Sequence, residues 1–506
     1  MKILSASQIK TVDELTISRE NIKSIDLMER AAMACVRKLT RLISDEQKIY
    51  VFCGKGNNGG DGLAIARLLL NRDCDVTAFV THHKENFSND AQINYDLLKQ
   101  KFPSKVVEIQ KIEDLNSFDT DVNAQVIEAI FGSGVNKPVA DLAGDVIQFI
   151  NSKFKKIISI DVPAGLYIDS SSRGNKNIIR SSVALCFQLP KLALLLPENG
   201  EFVPEFELVD IDLDEKAINE QASNNYYITK EAITPFLKKR NKYDHKGTYG
   251  HALLLAGSRG KAGAAVMSAF ACLRSGAGLL TVHSTHEVLN AILQRLPEAM
   301  SNEDDSQDHI SGVEKPENYD AIGFGPGVGL HEETQTTLKK ILQYYTGQLI
   351  IDADGLNILS ENKTWLNFLP ADTILTPHIK EFERLAGKSD DDFERLEKLR
   401  HFSTRCNCIV ILKGAHSAIA MPDGNVFFNS SGNPGLAKGG SGDALTGIIL
   451  GLLCRGYNPP QAALIGTFIH GYAADLSLKK ASMESILITD VINHLPKAFK
   501  KLEESV

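Results

Sequence analysis

Short apolar runs of strand length alternate with helical patterns along the whole chain. In the first half the strand-like run Ile49–Cys53 precedes the helical pattern Asp61–Leu70 and a second run, Val76–Val80. This alternation is typical of parallel sheets whose strands are joined by crossover helices. The same order returns in the second half, where strand-like His251–Ala256 precedes helical Ala262–Ser275. We therefore predict an α/β protein with two doubly wound domains.

Further elements follow from the same patterns. Apolar runs predict strands at Gln125–Ala129, Ile157–Asp161, Gly278–His283, Ala321–Phe324, Leu349–Asp352, Thr373–Leu375 and Cys408–Leu412. Ala6–Ile43 has the spacing of two helices, and Ser417–Met421 with Val426–Asn429 predicts a hairpin. Met300–Asn318 is charged and poor in apolar residues, which predicts a surface loop.

The length of 506 residues exceeds one ordinary domain. The segment Asp210–Ser223 is acidic and rich in turn-forming residues, with little periodicity. We place the domain boundary there, near residue 220, which gives domains 1–220 and 221–506.

Composition narrows the kind of partner. With 55 Lys and Arg against 63 Asp and Glu, the net charge of −8 argues against nucleic acid and anionic membranes. No apolar run approaches the roughly 20 residues of a membrane span, and the charged N-terminal segment does not resemble a signal peptide. The eight cysteines are scattered, and Cys406 with Cys408 forms a lone C-x-C without a matching pair. We expect no metal there, and a cytoplasmic enzyme of small-molecule substrates.

A glycine-rich segment, Gly54–Gly62, lies between the first strand and its helix. Glycines permit close approach of a ligand to the backbone, and a helix start offers free N–H groups to an anion. The segment matches neither the dinucleotide fingerprint nor a Walker loop. We predict a ligand-binding loop, the alternative being a purely structural strand-to-helix turn.

Two further strand ends carry a carboxylate beside a glycine turn. They are Glu128–Gly134 and Asp161–Gly165. Ligands of open α/β sheets bind outside the carboxyl ends of the strands, so the three segments are expected to meet in one pocket.

Together with the helix at Leu27-Met28-Glu29, these motifs resemble the YjeF N-terminal domain, the NAD(P)HX epimerase family, over most of residues 1–215. The resemblance implies a Rossmann-like domain that holds a hydrated nicotinamide nucleotide through Asp161 and two loops. The loop residues are Asn57, Asn58, Gly59, Gly60, Asp61, Gly132, Ser133, Gly134, Val135, Asn136, Lys137 and Pro138. It also implies a potassium site at Asn58, Glu128 and Ala164.

The sequence departs from that family at two positions. The family usually has Asp where Glu128 stands and Ser where Ala164 stands, so Ala164 offers only its backbone carbonyl to a cation. Inversion at C6 of the hydrated ring requires a bond there to break and reform, and Asp161 is the candidate acid and base. The alternative is an N-terminal ligand-binding or oligomerisation module without catalysis.

A second glycine turn, Gly439–Asp443, precedes the apolar helical run Ala444–Leu453. Amides at this helix start can stabilise the charge of a transferring phosphoryl group. Asp443 can accept the proton of the attacking hydroxyl. The motif predicts phosphoryl transfer, the alternative being a tight turn in which Asp443 only caps the helix.

Other strand ends in the second half carry polar turns. Lys413–Ser417 is a candidate nucleotide-binding turn, and Gly325–Gly329 and Asp352–Asn357 end two more strands. His378 follows a strand and precedes Glu381. It either contacts a ligand or has only a structural role.

With His245-Lys246-Gly247 and Gly257–Ala265, these motifs resemble the carbohydrate-kinase-like domain of ADP- or ATP-dependent NAD(P)HX dehydratase, a ribokinase-like fold, over roughly residues 226–500. The family tends to have Pro-Gly where Ile379-Lys380 stands. The resemblance implies that Ala264, Gly327, His378 and Asp443 bind the hydrated nucleotide. It implies that Lys413, Gly414, Ala415, His416, Ser417 and Gly442 bind the adenine nucleotide. Mg²⁺ is expected from the chemistry, with Glu381 and Asp352 as candidate ligands.

The two resemblances together imply a bifunctional repair enzyme, an isomerase for R- and S-NAD(P)HX followed by a lyase that restores NADH or NADPH. Phosphorylation of the C6 hydroxyl by ADP or ATP would precede loss of phosphate. The alternative is a ribokinase-like kinase of a small alcohol or vitamin precursor, joined to a non-catalytic ligand-binding domain. We expect a homo-oligomer.

Overall fold

The computed structural model describes residues 1–44, 47–116 and 118–504. The chain divides into two compact units. One unit contains residues 2–223 and 391–393, and the other contains residue 1, residues 224–390 and residues 394–506. None of the described helices combines the length and the apolar character that a membrane span requires.

The first unit is built on seven parallel strands in the order β3-β2-β1-β4-β5-β6-β7. The strands are β1 (Ile49–Cys53), β2 (Val76–Thr81), β3 (Val106–Ile109), β4 (Gln125–Ala129), β5 (Ile157–Ile160), β6 (Val183–Phe187) and β7 (Phe206–Val209). The helices are α1 (Ala6–Glu20), α2 (Ser24–Leu42), α3 (Asn57–Leu70), α4 (Asn89–Lys101), α5 (Ile112–Asn116), α6 (Asp141–Lys153) and α7 (Glu215–Glu220). The strand order reverses between β1 and β4, so the loops after these strands flank the crevice where such sheets bind ligands.

Strand β1 shows why this sheet is covered on both faces. Val51 belongs to the core beneath α2 and α3, whereas its neighbours Tyr50 and Phe52 belong to the core on the other face. Successive side chains of a strand point to opposite faces, so an apolar run without alternation requires a helical layer on each side.

Helix α3 begins at Asn57, four residues before the predicted start. The predicted glycine loop therefore forms the first turn of the helix. A Cβ on Gly59 would lie 1.9 Å from the Gly54 carbonyl oxygen, so only glycine lets the helix start this close to the end of β1.

The second unit is built on ten strands in the order β11-β10-β9-β12-β13-β14-β15-β16-β17-β8. The strands are β8 (Asn225–Tyr227), β9 (His251–Leu255), β10 (Leu279–Ser284), β11 (Met300–Glu303), β12 (Ala321–Phe324), β13 (Gln348–Ile351), β14 (Ile374–Leu375), β15 (Ile409–Leu412), β16 (Ala418–Ala420) and β17 (Val426–Phe428). The helices are α8 (Lys230–Ile233), α9 (Ala262–Arg274), α10 (His286–Arg295), α11 (Glu332–Tyr344), α12 (Asp354–Glu361), α13 (Ile379–Ala386), α14 (Asp392–Cys406), α15 (Ser441–Cys454), α16 (Pro459–Ser477) and α17 (Ile488–Glu503). Strands β9 to β15 pair in parallel, and β16 and β17 form the predicted antiparallel hairpin.

Helix α15 is buried along its length from Ala444 to Cys454. It packs against α9 and α16, which explains why its sequence is apolar all round instead of on one face. Its first turn, Ser441–Asp443, is only partly buried. The helix thus holds Asp443 at the edge of the core.

The prediction for Met300–Asn318 was wrong in part. Met300–Glu303, predicted as surface loop, is a strand paired in parallel with β10. Three of its four residues are polar and the strand is mostly exposed because it lies at the edge of the sheet, so it carries no apolar run. The segment Asp210–Ser223 contains the short helix α7.

Candidate active sites

In the first unit Asp161 follows β5 directly and adopts a left-handed backbone conformation with φ of +66°. Its Oδ1 lies 2.6 Å from Nζ of Lys191, and its Oδ2 accepts a hydrogen bond from the Ser133 amide at 3.3 Å. The loops that follow β4 and β5 therefore meet at this carboxylate, as predicted from the order of the strand ends.

Lys191 is a buried cation, and the sequence analysis missed it. Its side chain is 1% exposed, and Nζ donates to the Phe187 carbonyl at 2.8 Å. Burial opposes the charged form, but the Asp161 carboxylate and the Cys186 thiol together outweigh it and raise the pKa of Lys191 above its usual value. A lysine inside the apolar run Leu189–Leu196 was the signal that could have identified it.

Two more carboxylates belong to the same electrostatic group. Burial, followed by the charges of Asp161 and Asp13, raises the pKa of Asp61 well above its ordinary value. Burial and the charge of Asp161 raise the pKa of Asp13 to about 7, although Lys191 opposes this. Burial and neighbouring negative charge thus raise the pKa of both carboxyl groups, and Asp13 was not predicted from sequence.

Asn58 has one satisfied and one free polar atom. Its Nδ2 donates to the Ile160 carbonyl at 3.2 Å, and its Oδ1 is buried with no hydrogen-bond partner among the described residues. A Cβ on Gly132 would lie 3.3 Å from this side chain and 3.4 Å from Oδ2 of Asp161. The structure thus brings these three predicted residues together.

Glu128 is fully buried and well supplied with donors. Its Oε1 accepts from the Ile130 amide at 2.7 Å, and its Oε2 accepts from Ser159 Oγ at 2.8 Å and the Ala164 amide at 3.1 Å. Burial is the strongest influence and raises the pKa of Glu128 to about 7 in spite of these donors.

The Ala164 carbonyl accepts a hydrogen bond from the Ile179 amide at 3.0 Å. The remaining predicted residues of the loop after β4 reach solvent, with Val135 partly buried and Gly134, Asn136, Lys137 and Pro138 exposed. This loop is accessible to a ligand from outside.

In the second unit Asp443 lies in the first turn of α15. Burial is the main cause that raises its pKa to about 6, the negative charge of Asp352 adds to this, and Lys413 opposes it. A carboxylate with this pKa is ionised at neutral pH and is still basic enough to accept a proton.

Lys413 and Asp352 form an ion pair beneath the glycine turn. Oδ1 of Asp352 lies 2.9 Å from Nζ of Lys413, and Oδ2 accepts from Thr446 Oγ1 at 2.8 Å. Burial raises the pKa of Asp352, but Lys413 and Thr446 outweigh it, so the pKa is lowered. A Cβ on Gly442 would lie 3.1 Å from Lys413 Nζ, so a side chain there would crowd the ammonium group.

His378 is the N-cap of α13. Its Nδ1 accepts from the amides of Lys380 at 3.1 Å and Glu381 at 3.3 Å, and the Glu381 carboxylate accepts from the His378 amide at 2.8 Å. The backbone of His378 also pairs with Lys413 as an isolated parallel bridge. The imidazole is half exposed, and its Nε2 lies 3.5 Å from Oε1 of Glu381.

Gly327 and Ala264 lie next to each other. Gly327 has φ of +67°, and a Cβ there would come within 3.2 Å of the Ala264 Cβ. The Gly327 carbonyl accepts from Ser258 Oγ at 2.8 Å. Two strand ends, those of β9 and β12, are thereby joined at one point of the site.

The turn Lys413–Ser417 lies directly after β15. Gly414 and Ala415 are exposed, and the Gly414 amide donates to Ser417 Oγ at 3.3 Å. His416 Nδ1 lies 3.0 Å from the Asn429 carbonyl, and burial lowers the pKa of His416.

His470 of α16 was not predicted as a site residue. Its Nε2 is buried without a partner in the part of the chain that the structure describes. Burial, reinforced by the charge of Lys413, lowers the pKa of His470 to about 4. The imidazole of His470 is therefore uncharged at neutral pH, and the positive charge of Lys413 helps to keep it so.

Comparison with known families assigns each half separately. The family model described as YjeF-related protein N-terminus matches residues 24–193, and the model described as NAD(P)H-hydrate dehydratase, a carbohydrate-kinase family, matches residues 252–497. The chain therefore combines a YjeF-type domain with a ribokinase-like domain, as its two sheets and strand-end sites indicate.

Relatives along the full length have the same combination. A "Bifunctional NAD(P)H-hydrate repair enzyme Nnr" of Moorella thermoacetica is 33% identical, with 100% of this chain and 98% of the relative covered. Enzymes of that description from Thermofilum pendens and Escherichia coli are 31% and 28% identical, and cover 100% and 93% of this chain and 97% and 88% of the relatives. A solved ADP/ATP-dependent NAD(P)H-hydrate dehydratase of Bacillus subtilis, co-crystallized with ATP/Mg²⁺, is 33% identical over 56% of this chain and 100% of that chain, with a TM-score of 0.49. This chain belongs to the family of bifunctional NAD(P)H-hydrate repair enzymes.

Proposed function

We propose that this chain restores hydrated NADH and NADPH in two steps. The first unit interconverts R- and S-NAD(P)HX, and the second dehydrates S-NAD(P)HX with phosphoryl transfer from ADP or ATP. The proposal for the second activity depends on Asp443. This half-buried carboxylate lies at the start of α15 beside the Lys413–Asp352 ion pair, and its pKa is about 6. The relatives favour a hydrated nicotinamide over a small alcohol or vitamin precursor as substrate.

In the dehydratase site Asp443 accepts the proton of the C6 hydroxyl, whose oxygen attacks the terminal phosphorus of the nucleotide. The bridging P–O bond breaks, and AMP leaves from ADP or ADP leaves from ATP. Amides at the start of α15 and Lys413 stabilise the charge that develops on the phosphoryl group. The ring-nitrogen lone pair then expels phosphate from C6, and loss of a C5 proton restores the double bond. Ala264, Gly327 and His378 hold the hydrated ring, and the turn Lys413–Ser417 with Gly442 holds the adenine nucleotide.

In the epimerase site Asp161 is the group that acts on C6. Its ion pair with Lys191 and its hydrogen bond from the Ser133 amide orient the carboxylate toward the loop after β4. The first-turn amides of α3, from Asn57 to Gly59, face the same crevice and suit the phosphates of the nucleotide. Asp61 and residues 132–138 complete the binding surface.

Mg²⁺ accompanies the nucleotide and supplies charge neutralisation of its phosphates. Asp352 does not fit as a direct ligand, because its oxygens already bind Lys413 and Thr446. Glu381 fits little better, since it caps its own helix. The phosphate oxygens and water are therefore the main ligands that remain for the ion.

Potassium fits the first unit only in part. The free, buried Oδ1 of Asn58 suits an oxygen-seeking cation. The Glu128 oxygens and the Ala164 carbonyl already accept hydrogen bonds from backbone amides and Ser159. The homo-oligomeric state and the cytoplasmic location stay predictions.

The decisive experiment follows NADH absorbance after the chain is mixed with both NADHX epimers, Mg²⁺ and ADP or ATP. Complete recovery is expected, because the first unit feeds the second with S-NADHX. Recovery from one epimer only, with the other left at its spontaneous rate, would show that the first unit is a non-catalytic module. A stable phosphorylated product without NADH would contradict the dehydratase assignment.

The two activities are expected to separate by mutation. Asp443→Asn should lower NADH recovery by about 10²–10⁴-fold, the range for loss of a general base, and leave epimer interconversion intact. Asp161→Asn should do the reverse. Loss of both activities in either variant would refute the two-site assignment.

A further inference from the structure

Outside both sites, His309, His331 and Glu333 converge at the start of α11. Each residue offers one ligand atom, and the three atoms lie within 4.8 Å of one another. Nε2 of His309 is 2.6 Å from Glu333 Oε2, and Nδ1 of His331 is 3.9 Å from the same oxygen. Within the described residues this is the one group of three such side chains close enough to share an ion.

The arrangement of the two imidazoles differs from that of an ordinary hydrogen-bonded pair. Their rings stack with centroids 3.6 Å apart and an interplanar angle of 26°, on the same side of one carboxylate. His286 with Glu303 shows the simple alternative, a single exposed histidine at 3.1 Å from a single carboxylate. His331 also caps α11, because its Nδ1 accepts a hydrogen bond from the Glu333 amide at 3.4 Å. In addition, the stacked imidazole brings a third ligand atom to the same carboxylate, which the pair of His286 with Glu303 lacks.

The outer contacts of His309 also match those of a metal ligand. Nδ1 of His309 lies 3.1 Å from Ser306 Oγ, which fixes the ring and turns Nε2 toward Glu333. A metal-bound histidine almost always uses its second ring nitrogen in this way. The imidazole is 18% exposed, so the ring is held from several sides although the other two ligands reach solvent.

We infer that His309, His331 and Glu333 form a binding site for a divalent transition metal, with Zn²⁺ as the ion that its two nitrogens and one oxygen suit best. Ligand atoms around one such ion lie at most about 4.2 Å apart, so small rotations of exposed side chains close the site. Binding displaces the proton that His309 shares with Glu333, and this proton passes to solvent. The ion links the segment after β11 to the first turn of α11.

This link acts on a segment next to the dehydratase site. The Arg259 amide donates to the Asp308 carbonyl at 3.1 Å, and Arg259 also pairs with the Asp308 carboxylate at 3.1 Å. Ser258, the next residue, holds the Gly327 carbonyl. A metal at His309 therefore stiffens the support of a predicted substrate-binding turn without contacting substrate.

The test uses the whole chain, freed of metal with EDTA and desalted, in excess Mg²⁺. Zn²⁺ is titrated in competition with a chromophoric chelator at neutral pH. One equivalent is expected to bind, and His309→Gln and His331→Gln should each weaken that binding by at least about tenfold. Because protons compete for the same nitrogens, binding should also weaken as the pH falls.

His286→Gln is the matched control, since it removes a histidine from a pair with one carboxylate on the same unit. It should leave the tight equivalent unchanged, and circular dichroism should show that all variants are folded. If His309→Gln and His331→Gln bind Zn²⁺ as tightly as the unmodified chain, the bound metal lies elsewhere, for example at cysteines, and the inference is wrong. Absence of any tight equivalent in the unmodified chain would overturn it as well.

Discussion

The carboxylate of Asp443 is subject to opposite influences from its neighbours. Burial and the charge of Asp352 favour its protonated form, and the Lys413 ammonium favours its ionised form. The balance leaves the pKa at about 6, between an ordinary aspartate and neutral pH. This residue is therefore ionised under neutral conditions and able to take up a proton in the reaction.

The pH dependence of dehydration should follow from this value. Only ionised Asp443 accepts the hydroxyl proton, so kcat/KM should fall as the pH drops through about 6. The measurement is NADH recovery from pure S-NADHX between pH 5 and 8. Circular dichroism in the same buffers is the control for general loss of structure, and a dehydration rate independent of pH across this range would contradict the role of Asp443.

Asp161 and Lys191 form a pair of a different kind, because both groups are buried. Removal of one partner leaves the other charge unpaired, which typically costs about 3–5 kcal/mol. Surface ion pairs contribute about 1 kcal/mol or less. The pair thus fixes the orientation of Asp161 at the expense of making the fold dependent on Lys191.

Lys191→Met should lower the free energy of unfolding of the first unit by about 3–5 kcal/mol and abolish epimerisation. Hydrogen exchange of β1 and β4 amides is the suitable measurement, because the single tryptophan, Trp365, lies in the other unit. Lys38→Met is the control, since Lys38 pairs with Glu207 in a partly exposed position. An effect of Lys191→Met no larger than that of the control would show that the buried pair is not a structural requirement.

Helix α13 illustrates how one element can serve structure and function together. Its N-cap is His378, whose Nδ1 accepts hydrogen bonds from two backbone amides while Nε2 lies 3.5 Å from Oε1 of Glu381. The capping box with Glu381 fixes the helix start beside Lys413. The element therefore positions a polar group at the dehydratase site whether or not the imidazole contacts substrate.

Two substitutions separate these roles. His378→Ala removes both the cap and the imidazole and should cost about 1 kcal/mol of stability, whereas His378→Asn keeps a good cap. If the imidazole binds the hydrated nucleotide, both variants should raise KM for S-NADHX while only the alanine variant loses stability. A normal KM in the asparagine variant would show that His378 acts only as a cap.

On the scale of the whole molecule, the chain places two sites on two separate sheets, each at the carboxyl ends of parallel strands. In the proposed sequence of reactions S-NAD(P)HX connects the two sites, and we expect this small molecule to pass between them through solution. Neither site therefore needs to belong to the same polypeptide as the other for the repair to be complete.

This independence predicts complementation between variants. An equimolar mixture of Asp443→Asn and Asp161→Asn chains should restore complete NADH recovery from both epimers, whereas neither variant alone does so. The measurement is the final NADH yield, with doubled amounts of each single variant as controls. A mixture that recovers no more than the Asp161→Asn chain alone would show that the product of the first site does not reach the second through solution.

Much of the fold was predictable because its signals are local. The strands Ile49–Cys53, Gln125–Ala129 and Ala321–Phe324 were predicted with their observed bounds, since central strands of a parallel sheet are continuous apolar runs. Edge strand Met300–Glu303 was missed because an exposed strand needs no apolar side chains. Glycine turns at strand ends identified the site segments, because the strand order alone brings them to one edge.

The sequence by itself determined the two α/β domains, their glycine turns and the identity of Asp161 and Asp443 as candidate acids and bases. The tertiary structure decided which groups surround these carboxylates. Lys191 is separated from Asp161 in sequence by the whole of β6, and Lys413 is separated from Asp443 by β16 and β17. Glu128 accepts hydrogen bonds from Ile130, Ser159 and Ala164. Protonation and cation binding depend on burial and on charges a few ångströms away, and such distances are set only when the chain has folded.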